Sequence, residues 1–214
     1  MRLLRYLALS SLVAVAVSAC GGSSEAPEKK SRTASAHPLT TFAVTEDDRV
    51  ESFTRKRWSV SSGGSLGSST GIVAFARSAT ALHCVEQVQL RLHVESGEPT
   101  EEVTLSVYPS SIFRLKALRP GRVFKGYQEV LDDAIKADAS VASEPAWVEF
   151  DVTEIYRLWV KGGPFPSGGP RVPSSAPVIF TIKGSEDQPS TRTFSSHTSN
   201  TSPELLIESP KGCA

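Results

Sequence analysis

Gln87-Val88-Gln89-Leu90-Arg91-Leu92-His93-Val94 alternates polar and apolar residues without a break. A period of two places Val88, Leu90, Leu92 and Val94 on one buried face and leaves Gln87, Gln89, Arg91 and His93 on the other. Such a half-buried strand needs an opposing apolar layer, and similar runs supply one. Val103, Leu105 and Val107 repeat the pattern, as do Val148, Phe150 and Val152, whereas Val178-Ile-Phe-Thr-Ile182 is apolar enough to be buried on both faces. Leu205-Leu-Ile207 makes a last strand. Arg49 to Phe53, Arg57 to Val60 and Gly71 to Phe75 are shorter candidates, separated by Gly, Pro and Ser clusters. Seven to ten short strands at this spacing predict an all-β fold, a β-sandwich.

Helix is scarce. Thr153-Glu-Ile-Tyr-Arg-Leu-Trp-Val-Lys161 carries Ile155, Leu158 and Trp159 at helical spacing, follows Asp151 and Thr153 as capping residues, and stops at Gly162-Gly163. It predicts one short helix across an end of the sandwich. Tyr127 to Ala137 is a second candidate, with Val130, Leu131, Ala134 and Ile135 on its apolar side.

The N-terminus is organised differently. Arg2 and Arg5 precede an apolar run from Leu7 to Val17 and the small residues Ser18 and Ala19, the parts of a secretory signal peptide. That run is shorter than the ~20 residues a membrane-spanning helix needs. Val17-Ser18-Ala19-Cys20 resembles the bacterial lipobox, which implies cleavage of residues 1–19 and a diacylglyceryl anchor on Cys20. Acyl chains hold a membrane through about 0.8 kcal/mol per buried methylene. The implied location is the bacterial cell envelope, at the outer membrane or cell surface. Residues 20–39 are poor in bulky apolar side chains and are expected to be a flexible tether with a reach of roughly 25 Å. Residues 40–214 then form the single domain.

Removing residues 1–19 from the 214 leaves 21 basic and 23 acidic residues, so nothing points to nucleic acid as a partner. Cys84 and Cys213 remain in an exported chain, where a disulfide is favoured over two free thiols. Because they lie far apart in sequence, a bridge would be worth on the order of 5 kcal/mol in the chain-entropy model.

Trp147-Val-Glu-Phe-Asp151-Val-Thr153, then Ile155, Trp159 and Gly162, then Arg192-Thr-Phe194-Ser195-Ser196 and Pro203-Glu-Leu205-Leu-Ile207, resemble the second half of the DNRLRE domain family. Val88-Gln-Leu-Arg-Leu92 is similar to that family's mid-domain strand, and Asp48-Arg49-Val50 to its opening. The resemblance implies a jelly-roll-like β-sandwich with one or two short helices, found on secreted and surface proteins and classed with carbohydrate-binding modules. Its partner would be a polysaccharide or another envelope component. The alternative is a structural or adhesive protein acting through protein contacts.

Candidate chemistry is sparse. Trp147 and Trp159 could each stack on a sugar ring, but Trp159 lies on the apolar stripe of its helix, so core packing is preferred. Trp58, between Arg57 and Ser59, is the better exposed aromatic, with Tyr127 next, and these two are the candidate ligand-binding residues. His37, His83, His93 and His197 show no paired metal spacing. Asp132-Asp133 lacks the glycine-centred pattern of a calcium loop, and Gly63-Gly-Ser-Leu-Gly67 lacks the lysine of a phosphate loop. No nucleophile elbow is present. The chain therefore reads as a non-enzymatic module needing no cofactor or metal.

Overall fold

The computed structural model describes residues 32–36, 38–45, 49–50, 56–63, 68–78, 82–110, 135–162 and 177–213. Cys20, Tyr127 and the signal-peptide segment lie outside them, as does nearly all of the expected helix from Tyr127. The last residue of that helix, Ala137, instead opens a strand.

Among the described residues the chain forms eleven strands and one α-helix in an all-β, sandwich-like fold. In chain order the strands are β1 (Arg32–Ala36), β2 (Pro38–Thr45), β3 (Arg57–Ser62), β4 (Ser69–Phe75), β5 (Gln87–Glu98), β6 (Val103–Pro109) and β7 (Ala137–Val141). They continue with β8 (Ala146–Asp151), helix α1 (Thr153–Lys161), β9 (Val178–Gly184), β10 (Ser190–Ser195) and β11 (Glu204–Ser209). All pairings are antiparallel within one curled sheet. One layer runs β1-β11-β5-β10-β3, with β8 on the other edge of β5; the second runs β2-β4-β9-β6-β7. The layers meet at a corner where β3 and β4 share only the pair Ser61 and Ser69.

Alternation sets what each strand buries. Val88, Leu90, Leu92 and Val94 of β5 join Val148 and Phe150 of β8, Leu205 and Ile207 of β11 and Phe194 of β10 in one continuous core. Val178 to Ile182 is buried on both faces, as its composition predicts. Val152 leaves the strand pattern and becomes the residue before the helix.

Helix α1 occupies the predicted residues. The Asp151 carboxylate accepts from the Thr153 amide at 3.0 Å, so the cap acts from one residue before Val152, the N-cap position. The Thr153 hydroxyl accepts from the Val88 amide at 2.9 Å, and the Val152 amide donates to the Val88 carbonyl at 2.9 Å. Asp-Val-Thr thus pins the helix to β5. Gly162 ends it at φ 69°, a left-handed conformation that suits glycine. The helix touches β5 in one layer and β6 and β9 in the other, burying Trp159 between them.

The domain begins earlier than position 40. Residues 32–36 form β1 against β11, although four of its five side chains are exposed. Backbone pairing with an available sheet edge, not side-chain burial, orders this piece of the expected tether.

Arg192 points from β10 into the interior and is completely buried. Its guanidinium donates to the carbonyls of Glu98 at 2.9 Å, Glu101 at 2.5 Å, Thr191 at 3.1 Å and Val141 at 3.4 Å. The cation therefore ties β10 to the ends of β5, β6 and β7. Opposite it stands Gly97, where a Cβ would come within 2.5 Å of the Arg192 side chain. Desolvation pulls the guanidinium pKa down from its usual value.

Candidate ligand-binding face

The outer face of the first layer collects the polar halves of β5, β8, β10, β11 and β3. His93 pairs directly with Trp147, and Arg91 lies between Glu149 of β8 and Glu204 of β11. Arg91 makes 3.0 Å contacts with both carboxylates, and its guanidinium carbon sits 4.8 Å from the Trp147 ring centroid. The His93 ring meets the same indole edge-on at 5.2 Å. Neighbours on β5 thus hold Trp147 in place, while 37% of its surface stays open. A fixed, accessible indole loses little conformational freedom when a ligand stacks on it.

The exposed role expected of Trp58 falls instead to Trp147. Trp58 is only 3% exposed; its indole stacks on Phe194 at 4.9 Å and donates to the Ser195 carbonyl at 2.9 Å. Gly71 on β4 makes room for it, since a Cβ there would lie 2.1 Å from the indole. Trp58 shares the inward parity of Val60, so its polar neighbours Arg57 and Ser59 mark the opposite side of the strand rather than an exposed segment. Trp147 has the outward parity in a strand whose Val148 and Phe150 face the core. That alternation was legible in the sequence and identifies the exposed tryptophan.

Beside the indole, β5 and β10 bring Glu95, His93 and Ser195 together. The Ser195 hydroxyl donates to the Glu95 carboxylate and lies 2.6 Å from the Thr201 hydroxyl, while His93 Nδ1 is 3.4 Å from both Ser195 Oγ and Glu95 Oε1. Arg57 Nη2 approaches Glu95 at 3.7 Å. These are the residue types of a nucleophilic triad without its geometry. A relay places the imidazole between serine and carboxylate, using both ring nitrogens. Here one nitrogen faces both partners, and the buried serine already gives its proton to the carboxylate. The cluster joins β5, β10 and the turn that carries Thr201.

The Ser195 hydrogen bond is the chief reason the Glu95 pKa is held below its usual value; burial opposes the shift, and His93 and Arg57 add to it. A depressed carboxylate pKa stabilises the fold above the ordinary value of about 4.3, and that contribution disappears as pH falls through the lowered one. Glu95→Gln should therefore be less stable than wild type at neutral pH, with the gap closing on acidification below about pH 4.3. Urea titrations across pH check this, and a gap independent of pH would refute it. His197, whose pKa burial lowers, is common to both proteins and cancels.

Cys84 and Cys213 are bonded to each other, with Cα atoms 5.5 Å apart. A ring nitrogen of His83 lies within 4.8 Å of both sulfurs, but the disulfide leaves neither sulfur as a thiolate for a metal. The described surface also carries a groove of about 520 Å³ beside Lys183 and Asp138 on the second layer and one of about 600 Å³ at the start of α1.

The class defined by this architecture is an all-β, sandwich-like domain presenting a tryptophan on an outer strand face. No family model matches the chain, and no curated protein matches it.

Proposed function

We propose that this is a lipid-anchored protein of the bacterial envelope whose non-catalytic β-domain binds polysaccharide, or another envelope component, through the face around Trp147. The observation that carries the reading is the exposed indole held between Arg91 and His93 on the strand face. Aromatic faces stack on the apolar sides of sugar rings, and neighbouring polar groups bind the hydroxyls. The lipobox-like end at Cys20 and the DNRLRE-like motifs point the same way. The proposed acyl anchor rests on the sequence around Cys20; among the described residues, no helix is long and apolar enough to cross a membrane.

A glycan panel probed with the full chain tests the reading, with Trp147→Ala as its control. Removing a central stacking residue should cost about 2 kcal/mol, roughly a thirtyfold loss of affinity. Retention of no glycan, or binding unchanged in the variant, would refute it. The adhesive alternative draws on one observation, the terminal position of β1, which among the described residues pairs along one edge only, with β11.

A further inference from the structure

The charge pattern of the Trp147 face bears on which glycans it can accept, and the inference rests on the reading of that face as a glycan-binding surface. The outward positions of β3, β5, β8, β10 and β11 carry two arginines, Arg57 and Arg91. Against them stand six carboxylates: Glu95, Glu98, Glu149, Asp151, Glu204 and Glu208. Both arginines face carboxylates of the same surface, Arg91 at 3.0 Å and Arg57 at 3.7 Å with its side chain 60% exposed. Arg91 is held between Glu149 and Glu204, and Arg57 faces Glu95. Carboxylates outnumber arginines on this face and would repel a bound acidic sugar.

The strands β3 and β10 add an uncharged, hydroxylated strip to this surface. Across β3 and β10, Ser59 pairs with Thr193 at 3.0 Å and Ser61 with Thr191 at 3.2 Å. Each hydroxyl has one proton and two lone pairs, so a single mutual bond leaves capacity for a sugar hydroxyl. From Trp147 on β8, through β5 and β10, to Ser59 on β3 is three inter-strand steps, roughly 14 Å at the usual strand spacing. That span accommodates a chain segment longer than one ring.

We infer that this face selects polysaccharides without acidic groups, stacking one ring on Trp147 and laying the chain across the strands over the Ser59 and Thr193 hydroxyls. Uronate-rich, sulfated and phosphorylated glycans are disfavoured by the carboxylates that flank Arg91 and face Arg57. Free amino groups on the sugar are tolerated.

The test titrates the full chain at low salt with three soluble oligosaccharides of similar length: a neutral β-glucan, a deacetylated chitosan oligomer and an oligogalacturonate. The neutral and amino-bearing oligomers should bind, and the uronate should bind about tenfold more weakly. High salt should narrow that gap by screening the repulsion. Glu149→Gln/Glu204→Gln, which releases Arg91 from both carboxylates, should narrow it at low salt, with a thermal melt verifying the fold. Equal or tighter uronate binding, still abolished by Trp147→Ala, would overturn the selectivity while leaving the glycan reading intact. Failure of all three oligomers to bind the folded protein would overturn both.

Discussion

Replacing Arg192 with methionine should lower the unfolding free energy by on the order of 4 kcal/mol, the largest single-residue loss we expect. Methionine matches much of the aliphatic stem but donates nothing, so the carbonyls of Glu98, Glu101, Thr191 and Val141 lose a shared donor group. Each buried acceptor left unsatisfied costs about 1 to 3 kcal/mol, and partial access to water relieves some of that total. Against a typical domain stability of about 5 to 15 kcal/mol, the loss is a large fraction. Arg192→Lys, which keeps the charge but offers fewer donors in another geometry, should fall between the two. Equilibrium unfolding in urea measures the series. A methionine variant within about 1 kcal/mol of wild type would show that the guanidinium is not what ties β10 to the chain ends around it.

Opening the Cys84 to Cys213 bridge should have a comparable effect. The two residues are 129 positions apart, so the bridge removes a large share of the unfolded chain's freedom, worth on the order of 4 to 5 kcal/mol in the chain-entropy model. Cys84 lies just before β5 and Cys213 just after β11, and these two strands are already paired. The bond therefore closes the end of a ladder that exists without it, and native packing need not change. Cys84→Ser/Cys213→Ser should shift the urea midpoint down, and dithiothreitol should bring wild type to the same midpoint while leaving the variant unmoved. A reductant-insensitive wild-type midpoint would refute the stabilising role.

Several elements follow from local pattern alone. The alternation from Gln87 to Val94 identifies β5 and its buried side, and the apolar stripe with Gly162 behind it delimits α1. Parity also distinguishes inward Trp58 from outward Trp147, provided that each is read with its whole strand and not with its nearest neighbours. Other elements have no such signal. Arg-Thr-Ala-Ser-Ala in β1 and Ala-Asp-Ala-Ser-Val in β7 are ordered by backbone bonds to β11 and β6, partners that are remote in sequence. Arg192 is equally opaque. An arginine at an inward position normally argues against burial. Only the convergence of four carbonyls makes this one tolerable.

By itself the sequence determined the β class, the helix from Thr153 to Lys161 and the inward or outward side of each well-patterned strand, because those depend on the two-residue and 3.6-residue periods of the chain. It also carries the lipobox-like end from which an anchor at Cys20 is proposed. Tertiary structure alone decided which strands lie side by side, and hence that Trp147, Arg91, His93, Glu149 and Glu204 share one face and that Arg192 finds its acceptors. The physical reason is that antiparallel pairing acts between backbone groups far apart along the chain. Side-chain period says which way a residue points, whereas only the register of remote strands says what stands beside it.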